Sequence, residues 1–506
     1  MHVTQSITLS RQDQHFRFKT SIDYSQAGFA AAATLALSLV LLLSSFTWQD
    51  LTIKPAVFIA FLTYSAFGLL QLGVLMQIRR DLIRHGAINQ KTRRLGYVLL
   101  LSLLTANIFM VSAALQLVKK KKSPAYTLAV YSLLTTVFVF AVSSLNVFKP
   151  YVSNGFLPGM TALLVAGVIQ QISLLGIARF YDDERPLPQW LYGVAALLLI
   201  TSVTGNVFAL ALSILLISKL RNREGLAGAK LQETMDRLSR SATSMLGLFF
   251  IGFLLSISLC SYFTFDYGMA IDNNYGAILQ PPSMVYPLGT DNFGRCLFSR
   301  IVFGARISLF VGIVSTLIPV VIGGALGTLS GYYGRSTDNL IMRALDILYA
   351  IPGILLAIAI IAAFGANTFN LILALSIGAI PTYARTMRAN VLLVSTLEYV
   401  QAARAFGAGD VQILLKHIVP NSLAPMIVKS TLTLGAAVIS TSSLSYLGLG
   451  VEPHIPEWGN ILKVGSAYLE THAYTAIYPG LAIIALVLSF NFLGDGLRDA
   501  LDPKLD

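Results

Sequence analysis

Residues 398–421 read EYVQAARAFGAGDVQILLKHIVPN; they are too polar to cross a bilayer and are patterned like two short helices. Good helix formers run over 397–406, and Gly407 follows where a helix C-cap is expected. Asp410 is a suitable N-cap for a second helix, which we expect to stop at Pro420 because proline breaks helices. The stretch predicts a helical hairpin, and the simpler alternative is an ordinary loop between spans.

Apolar runs flank this hairpin on both sides. Of the 506 residues 55% are hydrophobic and only 12% are charged, against roughly 25% charged in soluble domains. About 20 apolar residues span a bilayer as a helix, because the helix satisfies its own backbone hydrogen bonds. We therefore predict an all-α polytopic integral membrane protein of about twelve transmembrane helices. The runs are 27–46, 55–77, 96–118, 125–148, 158–180, 190–216, 243–264, 306–332, 347–365, 369–386, 424–446 and 473–494.

A polar, positively charged stretch at 219–242 separates the first six runs from the last six. We expect an N-terminal module of unknown function over 1–218, a cytoplasmic linker over 219–242 and a six-helix domain over 243–506. Lys and Arg accumulate in cytoplasmic loops, and this rule places residues 385–416 and both termini inside. The run Lys119–Lys122 falls outside in this scheme, against the rule.

The C-terminal domain carries four further motifs. They are LGTDNFGR at 288–295, GYYG at 331–334 followed by 338–352, LGLGV at 447–451 with PEWG at 456–459, and NFLGDGLRD at 491–499. The residues that characterise them most are Gly289, Thr290, Asp291, Gly294, Arg295, Arg306, Asp346, Trp458, Gly459 and Asp495.

Together with the hairpin, these motifs resemble the ABC importer permeases, and within them the dipeptide and oligopeptide permeases, over about residues 240–506. That family's cytoplasmic coupling loop, here 397–421, carries E-A-A, three residues, G, nine residues and I-x-L-P. Gln401 stands where the family usually has Glu, and Cys296 replaces the customary Asp of the first motif. We expect altered coupling detail and not its loss. The predicted coupling residues are Gln401, Ala402, Ala403, Gly407, Asp410 and Pro420.

The resemblance implies a permease that forms half of a translocation path for di- or oligopeptides, or for similar solutes such as nickel complexes. The implied partners are a second homologous permease, two ABC ATPase subunits, an external or periplasmic solute-binding protein and the lipid bilayer. ATP and magnesium would be used by the ATPase subunits, while this chain would bind no cofactor or metal. The implied location is the plasma (inner) membrane of a bacterium or archaeon.

Other functions find little support in the residues. No G-x-x-x-x-G-K-[ST] loop is present, since 225–230 reads GLAGAK, so this chain is not expected to be an enzyme that hydrolyses ATP. No H-E-x-x-H pair supports a zinc enzyme, and Asp495 lacks the paired aspartate of an intramembrane protease. The net charge of +12 fits loops facing anionic lipid better than nucleic acid. A stand-alone carrier is the alternative, and the first six spans stay open as a sensory or partner-binding module.

Several residues of the spans have two interpretations. Lys429 lies near the cytoplasmic face and is expected to snorkel there, although charges within spans are often functional. Cys260 and Cys296 are expected to be packing residues, although they could pair. Four polar residues are expected to bond neighbouring helices and not to line a cavity: Asn107, Gln170, Gln171 and Asn206. Small residues on one helix face predict a close helix contact: Gly323, Gly324, Gly327 and Gly331.

Overall fold

The chain is almost wholly helical, as the composition predicts. The computed structural model describes residues 21–47, 52–53, 55–105, 107–118, 123–149, 152–181, 187–221 and 226–501. Their helices are α1 (Ile22–Ser45), α2 (Pro55–His85), α3 (Gln90–Leu99), α4 (Ile108–Val118), α5 (Pro124–Ser144), α6 (Phe156–Phe180), α7 (Leu191–Thr201), α8 (Val207–Arg221), α9 (Leu226–Arg240), α10 (Ala242–Thr264), α11 (Gly268–Ile271), α12 (Leu297–Tyr333), α13 (Arg335–Tyr349), α14 (Gly353–Phe364), α15 (Thr368–Ser395), α16 (Glu398–Ala405), α17 (Asp410–Ile413), α18 (Val419–Tyr446), α19 (Trp458–Ser466) and α20 (Tyr474–Leu501). In these residues β structure is limited to one antiparallel pair, β1 (Phe46–Thr47) with β2 (Thr52–Ile53).

The described helices include eight that are long and apolar enough to cross a membrane, or up to nine if α13 and α14, bent by 81°, form one span. The eight lie in α1, α2, α5, α6, α10, α12, α17 to α18, and α20. An all-helical, multi-pass membrane protein is therefore confirmed. These eight candidate spans correspond to eight of the twelve apolar runs. The other four runs form helices that are interrupted, bent or less apolar.

Two of the four runs are broken by short 3-10 turns, between α3 and α4 and between α7 and α8. An asparagine caps the helix that follows each turn. Asn107 Oδ1 accepts from the Met110 amide at 3.2 Å, and Asn206 Oδ1 accepts from the Ala209 amide at 3.1 Å. Such a cap satisfies amides that a new helix start exposes, so one polar residue inside an apolar run is enough to divide it.

The other two runs differ for separate reasons. The run 347–365 contains the bend before α14, where Pro352 is the N-cap and cannot continue a helix from α13. The run 369–386 forms the first part of α15, a 28-residue helix that is not among the eight. Its later residues include Arg385 and Arg388, so the helix as a whole is less apolar than its first part.

Residue contacts divide the chain into two compact units. The first comprises Met1–Tyr131, Ile177–Pro186 and Ser239–Ala242. Inside it Asn107 Nδ2 donates to Thr34 Oγ1 at 3.1 Å, which joins α4 to α1 by a buried hydrogen bond. Its apolar core is drawn from α1 to α4 and consists of Ala27, Val74, Ile78, Leu82, Leu99, Met110, Ala114 and Leu117.

The second unit comprises Ser132–Gly176, Leu187–Leu238 and Thr243–Asp506. It contains the helices from α10 onward together with most of α5 to α9, and its largest core joins α5 and α6 to α10, α12 and α20. Asn206 Nδ2 donates to the Ser132 carbonyl at 2.8 Å within this unit, so both asparagines bond neighbouring helices as expected. The predicted linker 219–242 contains α9, and its last residues, Ser239–Ala242, fall in the first unit.

Candidate functional site

The hairpin, residues 398–418, begins with α16, which ends as the sequence predicts. Gly407 has φ +83°, a left-handed conformation that favours glycine. The Ala408 amide donates to the Ala403 carbonyl at 3.1 Å and the Gly407 amide to the Arg404 carbonyl at 3.0 Å. These two bonds are the Schellman arrangement that satisfies the last carbonyls of a helix. The turn is therefore fixed by its own backbone.

Two predictions for the second arm of the hairpin are wrong. Gly409, not Asp410, is the N-cap of α17. The helix also does not stop at Pro420, because a π-helical turn, Leu414–Ile418, leads directly into α18. A proline ring crowds the carbonyl four residues earlier, and the wider π turn just before Pro420 relieves that clash. The second arm is thus continuous with a candidate span.

One side of the hairpin is buried against α15 and the other is exposed. The buried side chains of this core are Val400, Ile413, Leu414 and Ile418 from the hairpin, with Tyr383, Met387, Val391 and Val394 from α15 and Met426 from α18. On the other side Phe406 is 91% exposed, Val411 66% and Leu415 64%. Exposed apolar groups on a firmly packed element are typical of a docking surface.

Tyr332, near the end of α12, joins the two arms of the hairpin, and the sequence had not indicated this role. Its hydroxyl donates to Asp410 Oδ1 at 2.5 Å and accepts from Arg404 Nη2 at 3.2 Å. The only signal for it was the GYYG motif at 331–334. The hydroxyl therefore links the hairpin to a third helix besides α15 and α18.

Gln401 and His417 depart from the loop pattern without leaving a gap in the hairpin. Gln401 Nε2 donates to the Thr396 carbonyl at 3.3 Å, a bond that a carboxylate could not make. The His417 ring lies 6.3 Å from the Tyr399 ring, and its carbonyl accepts from Asn421 Nδ2 at 2.7 Å. His417 is therefore a packing residue. Ala402 is exposed and Ala403 half-buried.

The glycines of α12 pack against α15, which confirms the predicted close helix contact. A Cβ on Gly323 would lie 2.8 Å from the Ile380 carbonyl oxygen, and one on Gly331 would lie 2.9 Å from that of Arg388. Larger side chains would push the helices apart. This face is an interface within the chain, between α12 and the helix that carries the hairpin.

Two ion pairs tie α13 to α15 at the hairpin end of these helices. Arg388 donates to both oxygens of Asp338, at 2.6 and 2.5 Å. Arg385 Nη2 donates to Asp346 Oδ1 at 2.6 Å. Bidentate arginine pairs fix orientation as well as distance, so α13 and α15 are held in one register. The motif residue Asp346 is thereby placed beside α15, near the hairpin.

At the other end of α12, residues 265–299 form a folded polar cap. Asp291 is its centre: Oδ1 accepts from the Phe293 and Arg295 amides at 2.9 Å, and Oδ2 accepts from Arg295 Nε at 2.7 Å. Arg300 Nε lies 3.6 Å from Asp291 Oδ2. The side chains of Asp291, Arg295 and Arg300 are 5%, 7% and 1% exposed, so this charge cluster is buried.

Turn residues of the first motif hold this cap. Thr290 Oγ1 donates to the Ala277 carbonyl at 2.5 Å and accepts from the Gln280 amide at 2.8 Å. Gly289 and Gly294 have φ +80° and +74°, and a Cβ on Gly294 would collide with the Asn274 carbonyl. Only glycine fits a left-handed turn with backbone packed against it.

The PEWG motif at 456–459 positions α19. Glu457 is the N-cap of α19, and its Oε2 accepts from the Gly459 amide at 2.7 Å. Burial raises the pKa of the Glu457 carboxyl. Trp458 Nε1 donates to the Ile301 carbonyl at 2.9 Å, and a Cβ on Gly459 would collide with Ser442 of α18. The motif therefore packs α19 against both α12 and α18.

Residues of α10 and of the stretch after α5 also contact this end of α12. Arg306 lies over the Tyr262 ring, 3.5 Å from its centroid, and its Nη2 donates to Ser261 Oγ at 2.7 Å. Lys149 Nζ donates to Ser299 Oγ at 2.6 Å. Burial lowers the pKa of Lys149. The cap is thus bonded to α10 and to a residue well before the last six runs.

The cysteines are both buried and free in the structure. Cys260 Sγ lies 3.6 Å from the Thr204 carbonyl, and Cys296 is 1% exposed at the start of α12. Their expected role as packing residues agrees with this burial.

A cavity of about 210 Å³ lies between α12, α14, α15 and α18. Its walls are mainly small side chains, with hydroxyl groups among them: Ser315, Thr316, Gly353, Ala357, Gly378 and Thr433. The Thr316 hydroxyl is buried and has no hydrogen-bond partner in the described part of the chain. The cavity is a place where a small polar molecule can lie between the helices that carry the hairpin and the cap.

The comparisons with known proteins identify this arrangement. Residues 323–506 match the family described as binding-protein-dependent transport system inner membrane component. The glutathione transport system permease protein GsiD of Pectobacterium atrosepticum is 42% identical over 274 residues, which cover 54% of this chain and 91% of that protein. The dipeptide transport system permease protein DppC of Alkalihalophilus pseudofirmus is 40% identical over 274 residues, covering 54% and 90%. The chain belongs to this permease family.

It is an ABC importer permease of the dipeptide and oligopeptide type, and this family consists of transport permeases, not enzymes. The expected resemblance is confirmed. GsiD of Escherichia coli is similar as well, 41% identical over 273 residues that cover 54% of this chain and 90% of that protein. Slightly under half of the permease chain therefore has no counterpart in these relatives.

The permease does not bring all predicted residues into one site. Those of the hairpin lie together, whereas Gly289, Thr290, Asp291, Gly294 and Arg295 lie in the cap. Asp495 is exposed near the end of α20, apart from both. Lys119–Lys122, whose side of the membrane was in doubt, lies outside the described residues. In the described residues no group of three or more His, Cys, Asp or Glu side chains could hold a metal ion.

Proposed function

We propose that this permease forms half of the path for a peptide-like solute and that its hairpin receives the movement of a cytoplasmic ATPase subunit. The observation that carries the proposal is the two-sided hairpin. Its buried side is packed into α15 and α18, while its exposed side presents Phe406, Val411 and Leu415. Such a surface passes the movement of a bound partner to α15 and α18, because its buried side is packed against both helices.

The helices that contact the hairpin suggest how the movement of the ATPase subunit reaches the translocation path. The hairpin is continuous with α18, packs on α15 and is bonded to α12 through Tyr332. These three helices, with α14, enclose the 210 Å³ cavity. Tilting them as a group would open the cavity toward one side of the membrane and close it toward the other.

The solute class follows from the relatives. Two relatives are named for glutathione and one for dipeptides, and these solutes share a short peptide backbone with free carboxylate. We infer that the permease carries di- or oligopeptides or glutathione-like compounds. The cavity is smaller than the ~300–1,000 Å³ of most ligand sites, so a second permease would complete the path.

The proposed assembly has a second homologous permease, two ATPase subunits that use ATP and magnesium, and an external solute-binding protein. Family membership supports the last two kinds of subunit, because it names binding-protein-dependent transport. The hairpin would dock an ATPase subunit in the cytoplasm, and the polar cap would face the binding protein. With this orientation both chain termini lie on the cytoplasmic side of the plasma (inner) membrane of a bacterium or archaeon.

Residues 243–506 form the transport domain in this proposal, and the helices α5 to α8 form a layer built onto it. Asn146 Nδ2 donates to the Thr264 carbonyl at 2.9 Å, and Ser256 Oγ donates to the Thr204 carbonyl at 2.8 Å. Together with Lys149 in the cap, these buried bonds support a bracing role for that part of the first 218 residues. A separable sensor would need fewer such bonds.

Replacing Gly407 with valine is expected to lower ATP-driven uptake at least about fivefold. A β-branched residue at φ +83° costs about 1–2 kcal/mol, which would displace the hairpin tip. Gly409 is the matched control, since it has φ −71° and open space where a Cβ would be. Uptake of labelled peptide by cells carrying each variant measures this. Equal uptake by the Gly407→Val and Gly409→Val variants would contradict the expectation.

Replacing Tyr332 with phenylalanine is expected to reduce uptake about threefold. The change removes one hydroxyl and its two hydrogen bonds to the hairpin, each worth about 1 kcal/mol, and keeps the ring. Tyr333→Phe in the next position is the control. The ratio of solute carried to ATP hydrolysed by the purified complex should fall in the first variant only. An unchanged ratio would show that the link through Tyr332 does not transmit movement.

The assembly itself is tested by purifying the tagged permease from its native membrane in mild detergent and identifying what accompanies it by mass spectrometry. We expect a second permease and ATPase subunits, with ATP hydrolysis in the eluate. A chain that purifies alone and without ATPase activity would contradict the proposal and favour the stand-alone carrier.

A further inference from the structure

Lys429 lies inside the α18 span, and its ammonium group is bonded to the neighbouring helix α15. Lys429 Nζ donates to the Thr382 carbonyl at 2.7 Å and to Thr386 Oγ1 at 2.7 Å, both on α15. It also lies 5.4 Å from the centre of the Tyr383 ring. These groups hold the side chain between two helices, and its expected snorkelling stays a prediction.

This ammonium has no carboxylate within ion-pair distance in the described part of the chain, unlike the arginines nearby. Arg385 is paired with Asp346 and Arg388 with Asp338. An ammonium has three N–H groups, and the two bonds to α15 account for two of them. Lys429 is only half-buried, so the third can meet a ligand. A charge inside a span without its counter-ion is costly and is usually kept for function.

Lys429 is not one of the residues that line the cavity, but it and its partner on α15 each lie close to a lining residue along their helices. Thr433 lines the cavity and follows Lys429 by one helical turn on α18. Gly378 also lines it and precedes Thr382, the partner of Lys429, by one turn on α15. One turn is about 5.4 Å, so the backbone of Lys429 lies about one turn beyond the cavity lining, on the side nearer the hairpin.

A second observation points to a ligand in the cavity itself. The Thr316 hydroxyl lines it, is 4% exposed and has no hydrogen-bond partner in the described residues. Leaving a buried hydroxyl unpaired costs free energy. Other described hydroxyls, such as those of Ser258 and Thr441, are buried without a partner too, and Thr316 differs from them because it lines the cavity. The small side chains around it leave room for a polar molecule to supply that partner.

We propose that Lys429 is an anion site at one end of the path, which receives the carboxylate of a peptide-like solute while the Thr316 hydroxyl bonds its backbone. A hydrogen bond between ammonium and carboxylate is stronger than one between neutral groups, so the site would favour solutes with a free carboxylate. The inference rests on the proposed function, because it assumes that the cavity belongs to the path. The competing explanation is a structural one, in which Lys429 only joins α18 to α15.

The test uses the co-purified complex in lipid vesicles with saturating binding protein, and labelled alanyl-alanine and glutathione as probes. We expect Lys429→Met to lower solute carried per ATP hydrolysed at least about tenfold, while ATP hydrolysis and the melting temperature stay near wild type. Lys429→Arg should keep transport within about threefold, because it retains the charge. Thr431→Ala, which loses a hydrogen bond to the Ile427 carbonyl of its own helix, is the matched control.

The outcomes separate this inference from the proposed function. Wild-type complex that carries neither probe would overturn the proposed solute class and the inference with it. Wild-type complex that carries a probe equally well with Lys429→Met would overturn the inference alone. A loss in which uptake, ATP hydrolysis and melting temperature fall together, and which arginine does not rescue, would assign Lys429 a structural role.

Discussion

Replacing Phe406 with aspartate is expected to abolish ATP-driven uptake and to release the ATPase subunits from the permease. Phe406 is 91% exposed at the tip of the hairpin, so in the proposed assembly its ring would be buried by the partner. A carboxylate there would have to be desolvated without a counter-charge, which costs several kcal/mol. The measurement is co-purification of the ATPase subunits with the tagged variant, combined with uptake of labelled peptide.

Phe406→Leu is the matched control for this experiment, because leucine keeps an apolar tip. The melting temperature of the permease itself should be the same in both variants, since so exposed a side chain contributes little to packing within the chain. ATPase subunits that stay bound to the Phe406→Asp variant, with normal uptake, would show that the docking surface lies elsewhere.

Replacing Asp291 with asparagine is expected to destabilise the polar cap by about 3–5 kcal/mol. The carboxylate faces Arg295 at 2.7 Å and Arg300 at 3.6 Å, and its removal leaves two buried guanidinium groups without their anion. Asparagine keeps the size of the side chain, so the change tests charge and not packing. Thermal unfolding followed with a thiol-reactive dye measures it, because Cys260 and Cys296 are buried and free.

Asp499→Asn is the control for this change, since Asp499 is an exposed acid on α20. It should leave the unfolding temperature within about 1 °C of wild type, in line with the small effect of most surface substitutions. An unfolding temperature that is equally unaffected by Asp291→Asn would mean that the cap does not depend on its ion cluster.

Local backbone rules predicted the first arm of the hairpin correctly. Gly407 ends α16 because a left-handed residue is needed there, and that need can be inferred from the residue type alone. The glycines of α12 likewise indicated a close helix contact, although the sequence could not say that its partner is α15. Such features depend on short segments, so the sequence is sufficient to find them.

The second arm was mispredicted because the general rules for N-caps and for proline in helices both fail in this segment. Pro420 follows a π turn that makes room for its ring, and no simple residue pattern marks such a turn. Asp410 resembles a cap but accepts from Tyr332, which is 78 residues earlier in the chain. Contacts over that distance are set by tertiary packing and not by local preference.

For a similar reason the sequence did not show where two apolar runs are interrupted or which groups Lys429 bonds. Asn107 and Asn206 each start a new helix inside an apolar run, and hydropathy averages cannot detect a single capping side chain. Lys429 is long enough to reach several groups, and only the position of α15 shows which of them its ammonium bonds. The sequence identified the family and its motifs, whereas the role of side chains between helices required the structure.

The most direct test of the account is uptake of labelled alanyl-alanine into lipid vesicles that contain the co-purified complex and its external binding protein, with and without ATP on the hairpin side. We predict uptake that requires ATP and is lost in the Phe406→Asp variant. Uptake that needs no ATP, follows an ion gradient and is unchanged in the variant would contradict the account and make this permease a self-sufficient carrier.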